Sequence, residues 1–362
     1  WTNAYTTLQP ALNIALAGDS IWIAAGTYKP TLRPNTGTAG ATTAEMRGQS
    51  FYLDTDIKIY GGFAGTETAL SQRNSTSNAV ILSGDINAGG TATNDCYHVF
   101  ITDGLSSDAV LDGVTITGGN ANGSGGITYS GQTYSQSYGG GMFNASSSSP
   151  TLTDVTIDSN SATYGGGIYN SSSSPTITNV TISRNTATYY GGGMYNSSSS
   201  PTLTNVTISG NTATTSGGGM FNNSSSSPTF TDVTIDSNSA TYGGGIYNSS
   251  SSPTITNVTI SRNAATSGGG MYNNSSSPTL THVTISGNTA TYGGGMINSS
   301  SSPTITNTIF WGNKKGTSST VAGADIYNSS SSTSTITYSL VQLASSSYTS
   351  GNNNLLTTNT NM

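Results

Sequence analysis

The sequence predicts an all-β protein, a parallel β-helix (β-solenoid) of about 25 residues per coil, from a strict internal repeat and from the strands within that repeat. The motif GGGIYNSSSSPTITNVTISRN recurs with small changes through residues 138–340 of the 362-residue chain. A fixed period of this kind is typical of coils that stack on one another and share a continuous core. The repeated prolines, spaced 25 to 27 residues apart, are Pro150, Pro175, Pro201, Pro228, Pro253, Pro278 and Pro303.

Each repeat is predicted to contribute three short strands. The GGGIYN segment forms one strand, the SSSSP segment a loop, and the TITNVTISRN segment two strands that bend at the central Asn. The bend is needed because Ile177 and Val180 are both core-type residues but stand three positions apart, whereas alternate residues of a straight strand share a face. The stacked coils then give three core columns: Ile168, Met194, Met220, Ile246, Met271, Met296 and Ile326; Leu152, Ile177, Leu203, Phe230, Ile255, Leu280 and Ile305; and Ile157, Ile182, Ile208, Ile235, Ile260, Ile285 and Ile309.

Two further columns consist of asparagine, and we expect each to form a ladder of hydrogen-bonded amides that runs from coil to coil. A second interpretation is that each Asn adopts a left-handed turn conformation, which Asn tolerates well. Both interpretations make the columns structural. One column runs from Asn144 to Asn328, and the other comprises Asn160, Asn185, Asn211, Asn238, Asn263, Asn288 and Asn313.

We interpret the chain as one continuous domain with three regions. Residues 1–137 form an N-terminal cap and irregular β-helix coils with loop excursions, residues 138–340 the regular repeats, and residues 341–362 a C-terminal tail. Because each coil contacts only its neighbours, the length of the chain does not by itself indicate a second domain.

The first region is predicted to contain a short capping helix and two projecting loops. The helix spans Thr7 to Ala17, where Leu8, Leu12 and Leu16 share an apolar face that would cover the open end of the first coil. The loops lie at residues 29–49 and 121–137, because these stretches are too long for turns and are rich in Gly, Ser and Thr or Tyr.

Charge and composition exclude several classes of partner. A net charge of −6 with nine Lys and Arg leaves no basic stripe for nucleic acid, and no apolar run approaches the roughly 20 residues that span a membrane. Cys96 is the single cysteine, so we expect no disulfide framework and no cysteine metal site, and we predict no cofactor. The composition favours a secreted or cell-surface protein. The start at Trp1, without a signal sequence, suggests a mature or excised segment.

The repeats resemble those of a known family. The pattern GGG[IM][YF]N followed by [ILF]T[ND]VTIxxN is similar to repeats of right-handed parallel β-helix surface proteins of bacteria, including the polymorphic outer membrane proteins with their GGA[ILV] and FxxN motifs. Phe310-Trp311-Gly312-Asn313 matches the FxxN motif in full. The N-terminal run WTNAYTTLQPALNIALAGDSIWIAAGTYKPT resembles the cap of large secreted proteins of the same pectin-lyase-like class. The resemblance implies a right-handed coil and secretion, and it leaves the biochemical role open.

Many enzymes of this class cleave acidic polysaccharides, which requires paired carboxylates, or carboxylates that hold Ca²⁺ beside a basic residue. Residues 153–185 are identical to residues 231–263, so the aspartates of the regular coils recur by duplication, and Asp158 and Asp236 are each followed one coil later by an Arg. We interpret His98 and His282 as structural. The remaining candidates are Asp54, Asp56, Asp85, Asp95, Asp103, Asp108 and Asp112, with Arg47, Lys58 and Arg73 nearby in sequence. We assign no catalytic residue and predict that the protein is not an enzyme.

Two repeated outward positions are candidate surfaces. An aromatic column either binds sugar rings or another protein, or stabilises the coils by stacking. A Thr-x-Thr array, from Thr151 to Thr306, resembles the ice-binding faces of some β-solenoid antifreeze proteins. The candidate binding or assembly residues are Tyr169, Tyr195, Phe221, Tyr247 and Tyr272, together with Trp1 and Tyr5.

These observations predict an extracellular structural or adhesive surface protein that associates with itself head to tail, or binds surface glycans or proteins. Head-to-tail contacts that do not close build filaments. The alternatives are a polysaccharide-binding or polysaccharide-cleaving β-helix protein and an ice-binding protein.

Overall fold

The computed structural model describes residues 1–33, 40, 42–86, 94–129, 131–317, 324–329, 331–341, 348–350 and 355–356. The chain forms two compact units, Trp1–Asn185 and Thr186–Met362. Within each unit, short strands pair in parallel with the equivalent strands of the neighbouring coils. Each unit is therefore a parallel β-helix, and the predicted all-β fold class is confirmed.

Each regular coil between Met142 and Lys315 contains four strands, which we assign to sheets 1 to 4 in chain order. Sheet 1 holds the strands of the GGG[IM][YF]N motif, sheet 2 the Thr-x-Thr strands, sheet 3 the strands after the Asn bend, and sheet 4 the strands after the ladder Asn. The prediction of three strands per coil is wrong, because the segment after the ladder Asn is also a strand. Its inward residue is a small alanine, such as Ala187, and the residues beside it are polar, so the alternation is weak in the sequence.

The strands of the first unit lie in all four sheets. Their bounds are, in sheet 1, Phe51–Leu53, Phe100–Asp103, Met142–Ala145 and Ile168–Ser171; in sheet 2, Ser20–Ala24, Lys58–Phe63, Val110–Asp112, Thr151–Thr153 and Thr176–Thr178; in sheet 3, Gly26–Tyr28, Val80–Ser83, Thr115–Thr117, Thr156–Asp158 and Thr181–Ser183; and in sheet 4, Asn120–Ala121 and Ser161–Tyr164.

The second unit repeats the same arrangement more regularly. Its strands are, in sheet 1, Met194–Ser197, Met220–Asn223, Ile246–Ser249, Met271–Asn274, Met296–Ser299 and Ile326–Ser329; in sheet 2, Thr202–Thr204, Thr229–Thr231, Thr254–Thr256, Thr279–Thr281, Thr304–Thr306, Ser334–Thr337 and Tyr348–Ser350; in sheet 3, Thr207–Ser209, Thr234–Asp236, Thr259–Ser261, Thr284–Ser286, Ile309–Trp311, Leu340–Val341 and Leu355–Leu356; and in sheet 4, Thr186–Tyr190, Thr212–Ala213, Ser239–Tyr242, Ala264–Ser267, Thr289–Tyr292 and Lys314–Lys315. The predicted tail thus contributes two further paired strands.

The core columns follow the prediction except at one residue. Ile208, Leu280 and Met296, one from each column, are fully buried. Ile309 is 44% exposed, however, and Phe310 pairs with Ile285 and takes the core position. The run Ile309-Phe310-Trp311 offers three adjacent apolar residues, and the bend before it sets the register.

The predicted bend between sheets 2 and 3 is present, and the residue at the bend has a left-handed backbone conformation. Asn179 has φ 56° and Asn205 has φ 53°, a region that Asn adopts more readily than most residues. The ladder Asn of each coil is not the left-handed residue at its own corner. The residue before it takes that conformation, with φ 52° at Arg184 and φ 64° at Gly210.

Helix forms only a small part of the first unit. The capping helix is Leu8–Ile14, shorter than predicted, and its Leu8 and Leu12 are buried where it contacts strands Ser20–Ala24 and Phe51–Leu53. Leu16 is 72% exposed because the backbone is already extended at Ala15. Helix Thr43–Met46 and the 3₁₀ helix Leu70–Gln72 lie between strands. Among the described residues, no helix has the length and apolar character needed to span a membrane.

The two excursions differ from the projecting loops that were predicted. The first contains helix Thr43–Met46, and residues 34–39 and 41 lie outside the described residues. The second contains an antiparallel hairpin, Gly126–Tyr129 with Gln132–Ser135. Its Tyr129 and Tyr134 are buried, and the Tyr129 hydroxyl donates to the Gly48 carbonyl. The hairpin is therefore packed against the coils by its two buried tyrosines and does not project from them.

Candidate interaction surfaces

The asparagine column that includes Asn238 lies inside the coils and links each coil to the next. Asn238 Nδ2 donates to Asn263 Oδ1 at 3.0 Å, and the Asn238 backbone N–H donates to the same oxygen at 2.9 Å. The Asn238 amide also donates to the carbonyl of Ile208 at 2.9 Å. In the first unit, Asn160 donates to Asn185 Oδ1 at 3.1 Å. These buried amides satisfy the backbone at a sharp corner, which is a structural role.

The second asparagine column is a simpler chain of amides. Asn248 donates to Asn273 Oδ1 at 2.8 Å, and Asn273 donates to Asn298 Oδ1 at 2.8 Å. All three side chains are fully buried. Since each amide donates in one direction and accepts from the other, one substitution leaves both neighbours with an unmet partner.

The serine loops contain a feature that the sequence analysis missed. The backbone N–H of Ser251 donates to Ser276 Oγ at 2.9 Å, and the N–H of Ser252 donates to Ser227 Oγ at 2.9 Å, in the opposite direction along the coils. Ser251 and Ser276 are buried. The SSSS sequence therefore supplies hydroxyl ladders, and its near-constant recurrence in the regular coils was the available signal.

The predicted aromatic column lies on sheet 1, and its rings stack on one another. In the second unit, the ring centroids of Phe221 and Tyr247 are 5.2 Å apart at 11°, and those of Tyr247 and Tyr272 are 5.0 Å apart at 13°. Tyr195 meets Phe221 edge-on at 4.9 Å. In the first unit, Tyr169 stacks on another tyrosine ring at 4.5 Å. The ring faces that a sugar would need are thus used in packing.

Sheet 4 of the second unit carries exposed aromatic rings in repeated positions. Tyr242 and Tyr292 are 41% and 50% exposed, and both occupy the same position on their strands. Ser267 lies between them in the paired strand. The candidate binding surface on this part of the molecule is therefore sheet 4 rather than the stacked column of sheet 1.

The N-terminal segment is the second candidate surface. Trp1 is 40% exposed and Tyr5 is 56% exposed, although the Trp1 indole N–H donates to the Glu67 carbonyl at 2.9 Å. The Trp1 ring also contacts Phe63, with ring centroids 5.4 Å apart. The Trp1 residue is thus folded back onto its own unit.

An apolar patch continues from this segment along the capping helix. Ile14 is 63% exposed and Leu16 is 72% exposed. An open cleft of about 270 Å³ lies beside the helix, lined by residues that include Trp1, Tyr5, Leu8 and Trp22. Tyr5 and Ile14 line a neighbouring recess together, and neighbouring exposed apolar side chains are typical of contact surfaces.

The Thr-x-Thr rows form the outer face of sheet 2. In the second unit, Thr254 pairs with Thr279 and Thr256 pairs with Thr281, and the register continues to the strand Ser334–Thr337. The first Thr of each of these pairs is exposed and the second is half-buried. Ice binding at this face stays a prediction, which thermal hysteresis would test.

Titratable side chains of the irregular coils gather at one place in the first unit. Lys29 Nζ lies 3.7 Å from Asp85 Oδ2, and the Arg47 guanidinium donates to the Asp95 carbonyl at 2.8 Å. Burial, together with the charge of Asp85, raises the pKa of Asp95 to about 6. Residues 87–93, which join the two aspartates, lie outside the described residues.

Other candidate aspartates bond to neighbouring coils or turns. Asp56 accepts from Ser106, Asp103 accepts from the Tyr52 hydroxyl, and Asp112 pairs with Arg73 at 2.6 Å. No group of three or more His, Cys, Asp or Glu in the described part of the chain is placed to hold a metal ion.

The two histidines differ in environment. His98 is fully buried with Nδ1 2.9 Å from the Gly139 carbonyl, and burial lowers the pKa of His98 to about 4. His282 is the left-handed residue at the bend of its coil, with φ 56°. Its Nε2 lies 3.2 Å from the Asn307 amide of the next coil.

Comparison with known proteins identifies a family and one structural likeness. The family model described as "Right handed beta helix region" matches residues 65–235 and 229–361. A crystal structure of pectate lyase Pel9A is similar with a TM-score of 0.46 and 13% sequence identity, over 98% of this chain and 74% of that one. No curated protein matches the sequence. A likeness this distant does not extend to activity.

Proposed function

The chain belongs to the right-handed β-helix family, and on that basis we propose that it is an extracellular structural or adhesive surface protein without enzymatic activity. The observation that carries the proposal is the use of the repeated polar residues. The asparagine and serine columns form hydrogen bonds between coils in buried positions, as at Asn238 and Ser251, so their role is structural. The exposed residues left for contact include aromatic and hydroxyl side chains.

The adhesive part of the proposal is tested by coating beads with the purified protein. We expect the beads to be retained on surfaces of polysaccharide or of extracellular protein, and to be released when soluble protein is added as a competitor. Beads coated with an unrelated protein of similar net charge serve as the control. Equal retention of the two bead types on every surface would contradict an adhesive role.

The absence of enzymatic activity is tested on a polysaccharide panel. We expect neither reducing ends nor unsaturated uronides to be released, including by the wild-type cluster around Asp95, whose raised pKa would suit a proton donor. A measurable release that Asp95→Asn abolishes would replace the proposal with the polysaccharide-cleaving alternative.

We propose further that the apolar patch of the N-terminal segment, formed by Trp1, Tyr5, Ile14 and Leu16, binds another copy of the chain. Their exposed fractions support this, since large apolar side chains are seldom exposed together without a partner. Sedimentation velocity at rising concentration should show association that Ile14→Glu with Leu16→Glu weakens. Leu70→Glu, at a 37% exposed leucine elsewhere in the first unit, is the control. Wild-type protein that stays monomeric would refute self-association.

A further inference from the structure

One column on sheet 4 of the second unit alternates between tyrosine and serine. In the parallel strand pairing, the consecutive partners are Tyr190, Ser216, Tyr242, Ser267 and Tyr292. A large ring therefore recurs at every second coil, with a small side chain between. We call this column the Tyr-Ser column. Each of these residues stands directly before the GGG motif of its coil, so the alternation can be read from the sequence.

The tyrosines of the Tyr-Ser column all lean in the same direction. Each ring contacts the aromatic residue of sheet 1 in the next coil. Tyr190 stacks on Phe221 at 4.8 Å, and Tyr242 meets Tyr272 at 5.8 Å with the ring planes at 84°. Tyr292 lies 6.5 Å from the ring of Tyr327. The ring planes differ, at 16°, 84° and 51° in these three contacts, so the feature that repeats is the position of the tyrosines on the paired strands.

The spacing follows from the geometry of paired strands. Neighbouring strands are about 4.8 Å apart, so tyrosines two coils apart are about 10 Å apart. The serine between them leaves the space above each ring unfilled by a side chain of similar size. Among the described residues, no ring stacks face to face on Tyr242 or Tyr292, unlike the aromatic column of sheet 1.

We propose that the Tyr-Ser column binds a neutral, extended β-1,4-linked polysaccharide that lies along the column with every second sugar on a tyrosine ring. In such a polymer each pyranose is turned about half a rotation from the last, so the same ring face recurs every second sugar, again at about 10 Å, which matches two coils of the β-helix. Apolar sugar faces pack on aromatic rings, and the phenol hydroxyls bond the sugar edges. The proposal rests on the adhesive role proposed above and names its surface.

The charges around the column favour a neutral polymer over an acidic one. Among the described strands of sheet 4 in the second unit, only Lys314–Lys315 carries charge, and that strand lies at one end of the column. Lys315 Nζ lies 5.8 Å from the centre of the Tyr327 ring. The strands that hold Tyr190, Tyr242 and Tyr292 thus offer no cation to a uronate.

The experiment measures affinity for cellohexaose, with maltohexaose as the α-linked control, on the full chain by isothermal titration calorimetry. We expect binding of cellohexaose only. The variant Tyr242→Ser with Tyr292→Ser should weaken it at least tenfold, and it should fold because sister coils carry Ser there. Tyr338→Ser is the matched control, since Tyr338 is 58% exposed but lies outside sheet 4, and it should bind as the wild type does.

A second variant tests the spacing rather than the aromatic area. Ser267→Tyr adds a ring to the column but fills the gap between Tyr242 and Tyr292, so we expect at least a fivefold loss of cellohexaose affinity. Tighter binding by Ser267→Tyr, or equal binding of both hexasaccharides, would overturn the proposal in favour of nonspecific apolar adsorption. No binding of cellohexaose would also overturn it. Bead retention on other surfaces would then still support the adhesive role, so the two failures are distinguishable.

Discussion

The irregular coils of the first unit and the regular coils of the second are held together in different ways. In the irregular coils, single arginines fix single loops: Arg73 pairs with Asp112 at 2.6 Å, and Arg47 lies 4.1 Å from the centre of the Tyr97 ring. In the regular coils, the same bond recurs from coil to coil, as in the ladder through Asn248. The effect of a substitution at a repeated position can therefore be compared with the effect at the equivalent position of another coil. A position in the irregular coils has no equivalent for such a comparison.

The core of the second unit should show the largest effect. Ile208→Asp places an unpaired charge at a fully buried position between apolar neighbours, and we expect a loss on the order of 4 kcal/mol or more in the free energy of unfolding. Thr207→Asp, one residue away on the outer face of the same strand, should change it by less than about 0.5 kcal/mol. Circular dichroism melts of both variants measure the difference. Equal damage would mean that the register of sheet 3 is wrong.

The irregular coils should show a dependence on pH that comes from His98. Because its pKa is about 4 in the folded chain, below its ordinary value near 6.5, the unfolded chain binds the proton first as the pH falls. The stability contributed by neutral His98 is present above pH 6.5 and is lost towards pH 4. Between pH 7 and pH 4.5 the loss should be about 2 kcal/mol.

His98→Asn is the variant that removes this effect while its amide can still donate to the carbonyl of Gly139. Urea titrations of wild type and variant at the two pH values give the difference. The comparison has to be between proteins, because the raised pKa of Asp95 works in the opposite direction over the same range. Parallel pH dependence of the two proteins would show that His98 is not buried in neutral form.

The amide ladders offer an adjacent matched pair. Asn273 is fully buried and bonds to the amides of both neighbouring coils, whereas Asn274 is half-buried and sister coils carry Ser there. We expect Asn273→Ala to cost about 1 to 2 kcal/mol, because two amides lose a partner, and Asn274→Ala to cost less than half of that. Thermal melts measure both. A larger loss of stability for Asn274→Ala would mean that the amide ladder does not run through Asn273.

The comparison of the two units also shows which features the sequence could predict. The period, the core columns and the amide ladders follow from position alone, since stacked coils bring like residues together. The fourth strand was missed because Ala187 gives only a small apolar signal, and the hairpin around Tyr129 because its aromatics fold inward rather than project. Phe310 took the place expected for Ile309, since three adjacent apolar residues leave the register to the preceding bend. The Tyr-Ser column can be read from the sequence as the residue before each GGG motif, whereas its ring contacts with sheet 1 come from the structure.

The smallest expected effect comes from an ion pair that occurs once in each unit. Arg184 Nη2 lies 2.8 Å from Asp158 Oδ2, and Arg262 Nη2 lies 2.7 Å from Asp236 Oδ2, within identical stretches of sequence. Both arginine side chains are 71% exposed, so each pair should contribute well under 1 kcal/mol and less in high salt.

The carboxylate of each pair should contribute more to the free energy of unfolding than its arginine does. Burial alone would raise the pKa of Asp236, but hydrogen bonds from Ser261, Arg262 and Ser237 lower it below its ordinary value, and Asp158 has the same surroundings. The stability from each Asp is therefore present above about pH 4 and is lost as the pH falls through the lowered pKa.

We expect Arg184→Ala and Arg262→Ala to have equal, small effects on the melting temperature that add in the double variant. Unequal effects would mean that the identical stretches do not experience identical coils, which would limit the use of sister coils as internal standards.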